Sequence, residues 1–147
     1  MPNKSIKQTT AAFEIEVEAT KDNLVKVMEF VDSHLEEADC PMKQQFQIDV
    51  AVEEIFVNIA SYAYAPGTGR AVVRMELSGE PAEARITFID QGMPYDPLKK
   101  EDPDITLSAA DRKIGGLGIY IVKQSMDKME YEYRDGSNVL TLTKKLQ

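Results

Sequence analysis

The chain has 147 residues, enough for one domain with a real core and too few for two. Apolar residues make up 43% and charged residues 29%, ordinary globular usage, and no apolar run reaches the roughly 20 residues of a membrane span. A net charge of −8 argues against a surface that grips nucleic acid by its phosphates, and the single Cys40 excludes an intramolecular disulfide and any CxxC metal site.

That balance suits a protein partner, or a small anion held by backbone amides. The first ten residues are polar, with Lys4 and Lys7 and no apolar h-region, so no secretory signal is expected and a reduced, cytoplasmic setting fits best. Residues 1–11 read as a flexible N-terminal tail and residues 12–147 as the domain.

Phe13, Ile15 and Val17 alternate with Glu14, Glu16 and Glu18, the period-2 pattern of a half-exposed strand. Thr20 is a candidate N-cap for a helix that turns Leu24, Val27, Met28, Val31 and Leu35 to one side. His34 on this helix reads as a polar surface residue. Pro41 suits the first turn of a second helix, expected to run to residues 62–64 with Ile48, Val52, Ile55, Ile59 and Tyr62 as its apolar stripe.

Residues 66–69 read as a turn, and 71–78 with 84–89 as a hairpin rich in β-branched residues. No period is visible over 97–114, so a loop is expected there. A helix over 117–127 follows, then strands near 130–134 and 139–144 around the Asp135-Gly136 turn. The order β-α-α-β-β-loop-α-β-β predicts an α+β two-layer sandwich: one mixed, mostly antiparallel sheet with helices on one face.

Three short segments carry chemistry. Glu54 and Asn58 stand four apart on the second helix, so carboxylate and amide share a face. Asn58 can offer a neutral oxygen to Mg²⁺, and Glu54 can take a proton from a hydroxyl. Taken alone, the pair also fits two solvent-facing side chains, or an asparagine that serves a nearby backbone group. Glu53 points about 100° away from Glu54, which leaves Glu54 as the partner of Asn58.

Asp90 at the end of a strand can accept from the amino group of adenine, and Gly92 lets the backbone approach a flat ring. An ordinary Asx turn would read the same. Gly115-Gly116-Leu117-Gly118 opens a helix, where free amides and the dipole favour a phosphate, with Arg112 and Lys113 just upstream. No Gly-Lys-Ser/Thr follows, so this is not a Walker A loop.

Together, in this order, the three segments resemble the Bergerat-fold (GHKL) ATPases, and among them the anti-sigma-factor serine/threonine kinases. Asp90-Gln91-Gly92 followed by Pro94-Tyr95-Asp96-Pro97 carries the resemblance. So does Gly116-Leu117-Gly118-Ile119-Tyr120-Ile121-Val122 leading to Met126-Asp127, Tyr131, Tyr133 and Asn138-Val139-Leu140.

The resemblance implies ATP with Mg²⁺ as cofactors, a sigma factor and an anti-sigma-factor antagonist as partners, and a homodimer. The net charge and the lack of a long apolar run argue against nucleic acid or membrane as a partner. On the resemblance, Glu54 is the catalytic base, Asn58 the metal ligand, and Asp90 with Gly92 the adenine site. Gly115, Gly116, Leu117 and Gly118 take the phosphates, Arg112 or Lys113 neutralises them, and 97–114 forms a lid. Several relatives place an arginine directly before the glycine pair, where this chain has Ile114. The alternative is a nucleotide-binding regulatory module that sequesters a protein partner without catalysis.

Overall fold

The alternation of Phe13, Ile15 and Val17 with glutamates produces strand β1 (Ala11–Glu18), and Val17 is buried. In the computed structural model, which describes residues 10–79, 81–99 and 117–146, helices α1 (Leu24–Glu37) and α2 (Met42–Asn58) follow. The hairpin of β2 (Arg70–Gly79) and β3 (Ala82–Asp90) comes next, then α3 (Leu117–Ser125), β4 (Lys128–Arg134) and β5 (Ser137–Lys145).

The strands form one sheet in the order β1-β2-β3-β5-β4. Every pairing is antiparallel, so the mixed sheet expected from the sequence narrows to a wholly antiparallel one. Hairpins account for two of the four pairings, β2 with β3 and β4 with β5, because a hairpin can only reverse the chain.

Register puts apolar side chains in rows across one face. Phe13, Met75, Ile86, Leu142 and Met129 make one row, and Ile15, Val73, Phe88, Leu140 and Tyr131 the next. Val27, Val31 and Leu35 of α1, Ile48, Val52 and Phe56 of α2, and Val122 of α3 join them in a single core, so all three helices cover this face. The third row runs Val17, Ala71, Asp90, Asn138 and Tyr133. There the apolar pattern gives way to a buried aspartate beside a buried asparagine.

Four expectations change. Thr20 makes no side-chain cap; it leads a 3₁₀ turn (Lys21–Asn23), and the Asn23 side chain returns to the Glu18 carbonyl at 2.8 Å. Pro41 precedes α2, with extended ψ of 145°, instead of entering its first turn. His34 is not a free surface residue: its ring stacks on Phe13 at 3.7 Å and meets Phe30 edge-on at 5.0 Å, because β1 brings Phe13 across α1.

The fourth concerns the end of α2. The helix continues as a π turn, Ile59–Ala63, which takes up more residues per turn than an α-helix. The apolar stripe therefore loses its phase. Tyr62 is 71% exposed, and Tyr64 turns back onto the protein. The tight Asp135-Gly136 turn has positive φ at both residues, 54° and 81°, as a two-residue hairpin joining β4 to β5 requires.

Candidate functional site

Glu54 and Asn58 are half-buried on α2, flanked by the buried Ile55 and Phe56. The neighbouring Glu53 is exposed. A side chain on Gly118 would run into the carboxyl carbon and both carboxyl oxygens of Glu54. The Glu54 carboxylate thus lies against Gly118 of α3. Gly118 is needed here to admit the acid, a reason that the sequence did not reveal.

Asp90 closes β3 and is 6% exposed. Its Oδ1 accepts from Gly92 N at 2.9 Å and from Asn138 Nδ2 at 2.9 Å. The next amides also have fixed partners: Gln91 N donates to the Tyr64 hydroxyl at 2.7 Å and Met93 N to the Ala63 carbonyl at 2.9 Å. Four tethers, counting Tyr95 N to Asn138 Oδ1 at 3.1 Å, hold residues 91–95 in one conformation.

Gly92 is where the sequence places it, but the space left by its missing side chain belongs to Ala63, whose carbonyl and Cβ a methyl group would strike. The glycine permits contact between the strand end and the end of α2. Its value to a ligand lies in its backbone and not in a vacant Cβ position.

Asn138 is the residue that sequence reasoning left without a role. It is 6% exposed and lies opposite Asp90 in the β3–β5 ladder. Its Oδ1 accepts from Tyr95 N and from the Tyr131 hydroxyl, while Nδ2 donates to Asp90 and, at 2.9 Å, to the Met93 carbonyl. An amide N–H can only donate, so Tyr95 fixes which end of the Asn138 amide faces Asp90. Burial raises the Tyr131 pKa, against a lowering backbone hydrogen bond at Tyr95, and the charges of Asp96 and Asp90 add to the rise. Tyr131 therefore stays protonated and donates. The signal was an asparagine on the inner side of an apolar strand, which has meaning only once the register is known.

The contacts form a continuous rim: Gly118 against Glu54, Glu54 one turn before Asn58, Ala63 against Gly92, and Gly92 on Asp90. Leu117, the first described residue of α3, is 40% exposed. Arg112, Lys113, Gly115, Gly116 and most of the expected lid fall outside the described residues; of 97–114, only the 3₁₀ turn Pro97–Lys99 is described.

The sequence of residues 17–144 matches the histidine kinase-like ATPase domain. The chain belongs to that family. As a histidine kinase-like ATPase domain it is built for ATP. Over 99 residues it is 32% identical to the serine/threonine-protein kinase BtrW of Bordetella bronchiseptica, covering 67% of this chain and 69% of BtrW. Over 102 residues it is 32% identical to the serine-protein kinase RsbW of Halalkalibacterium halodurans, covering 68% of this chain and 62% of RsbW. The crystal structure of the RsbU and RsbW domains of Rv1364c from Mycobacterium tuberculosis shares the fold, with a TM-score of 0.65 and 19% identity over 92% of this chain and 32% of that one. Among the described residues no helix is long and apolar enough to cross a membrane.

Proposed function

We propose that this chain is an ATP-dependent protein serine/threonine kinase acting as an anti-sigma regulatory factor, which binds a sigma factor and phosphorylates an antagonist protein. The observation that carries the reading is the Glu54 carboxylate lying against Gly118 of α3, in a chain 32% identical to a serine/threonine-protein kinase. Glu54 orients or deprotonates the attacking hydroxyl of the antagonist. Asp90, with Oδ1 engaged by Gly92 and Asn138, presents Oδ2 to the amino group of adenine.

Gly115, Gly116, Leu117 and Gly118 hold the phosphates at the start of α3, with Arg112 or Lys113 supplying positive charge. Asn58 is the protein's ligand to Mg²⁺. Among the described residues no three His, Cys, Asp or Glu side chains gather in a metal-binding group. A neutral amide oxygen beside a triphosphate fits a hard cation that keeps waters and takes its other ligands from phosphate. When bound, Mg²⁺ supplies charge neutralisation for phosphoryl transfer.

The protein works in the cytoplasm as a homodimer. Among the described residues β1 is the edge strand of the sheet, which supports it and the following helix as the dimer contact. One observation favours the non-catalytic alternative: Ile114 stands directly before the glycine pair, with Arg112 and Lys113 displaced from it. Incubation with labelled ATP and the cognate antagonist separates the readings. A kinase transfers label to serine or threonine in an acid-stable bond, and Glu54→Gln abolishes the transfer. A pure binder transfers none, and its Glu54→Gln variant keeps full regulatory activity.

A further inference from the structure

We infer that Tyr64 is a positioning residue that sets the adenine-reading end of β3 relative to the helix bearing Glu54 and Asn58. The inference deepens the nucleotide-site reading above and rests on it. Tyr64 directly follows the π turn of α2. Its hydroxyl donates to the Arg70 carbonyl at 2.6 Å and accepts from Gln91 N at 2.7 Å. Arg70 opens β2, Gln91 follows Asp90, and the register pairs Ala71 with Asp90. One hydroxyl therefore ties the end of α2 to the neighbouring strands β2 and β3 where they reach the site.

A phenol carries one donor and can accept as well, and both capacities are used here. The ring is held in turn by Gly69, since a side chain there would overlap ring atoms of Tyr64. Next to this tether, Met93 N bonds the Ala63 carbonyl and Gly92 packs on Ala63. The Tyr64 hydroxyl, however, holds the residue adjoining Asp90. Any drift of Gln91 moves the Asp90 carboxylate against Glu54 and Asn58, so the span between base and phosphate sites is set at Tyr64.

Tyr64→Phe keeps the ring over Gly69 and removes only the hydroxyl. Gln91 is exposed, so water can replace the lost partner and the variant should fold. Calorimetry and steady-state transfer are the measurements, with wild type beside the variant. We expect the ATP Kd and KM to rise about fivefold or more, in keeping with the loss of two hydrogen bonds. The preference for ATP over GTP should shrink, while kcat at saturating ATP stays within about twofold. Gly69→Ala, which pushes the ring from behind, should reproduce the same split.

Unchanged ATP affinity and base preference in both variants would overturn the inference while leaving the ATP site intact. So would a lower melting temperature with KM unmoved, which marks a purely structural role. Absence of ATP binding by the wild type would defeat the nucleotide-site reading itself, and this inference with it.

Discussion

The carboxylate of Glu54 and the Cα of Gly118 are in contact, so the candidate base of one helix rests on another helix. The clash that any side chain would cause falls on the far end of a flexible acid, not on backbone. Gly118→Ala should therefore fold with little loss of stability. It should displace the Glu54 carboxylate and lower phosphoryl transfer about tenfold or more, since misplacing a catalytic group by about 1 Å can cost a hundredfold. Steady-state transfer, read beside thermal unfolding, checks both halves.

Gly92→Ala should behave in the opposite way. Its methyl group meets the carbonyl and Cβ of Ala63, which cannot swing aside. We expect a cost of about 1–3 kcal/mol from overpacking, and loss of the Met93 N to Ala63 O bond. Urea unfolding measures the first, and weakened ATP binding reports the second.

Much of the fold was legible because β1 to β5 bury one side each and period-2 alternation survives in them. The turn at Asp135-Gly136 carried its own chemistry. The π turn did not, because no residue pattern marks one extra residue per turn, and so Tyr62 was placed on the apolar stripe although it is exposed. The identities of Glu54, Asn58, Asp90, Gly92 and Gly118 stood out in the sequence. The reasons for the two glycines did not, since each depends on a partner from a distant segment. Asn138 needed the β3–β5 register before its place opposite Asp90 could be seen.

Asn138→Ala removes both donors and the acceptor of the buried pair. Asp90 Oδ1 would keep only Gly92 N, and Tyr95 N and the Met93 carbonyl would lose their partner. Leaving such groups unsatisfied costs about 1–3 kcal/mol. Denaturant unfolding should show that loss, with ATP affinity falling alongside.

Away from the site, Gln45 Nε2 bridges Asp32 Oδ1 at 3.3 Å and Glu36 Oε2 at 3.1 Å. Asp49 faces the same acids, and its Oδ1 has no hydrogen-bond partner. Burial, then a hydrogen bond with Asp32 and the charges of Asp32 and Glu36, pushes the Asp49 pKa up to about 8. The folded chain therefore keeps a proton that the unfolded chain releases near pH 4. It binds more protons than the unfolded chain across that window, so stability falls as pH rises from about 4 to about 8 and levels off beyond. Asp49→Asn should flatten this slope, raising the melting temperature at pH 8 and leaving it nearly unchanged at pH 4. Thermal unfolding across that range is the check.

On the proposed reading, residues from α2, the end of β3 and α3 serve one nucleotide. An NMR titration with Mg²⁺-ATP tests it most directly, because every backbone amide reports its own position. We expect saturable shifts at Glu54, Asn58, residues 90–95 and Gly118 with a single dissociation constant, and their loss in Asp90→Asn. Shifts confined to one of these segments, or to other faces of the protein, would contradict it.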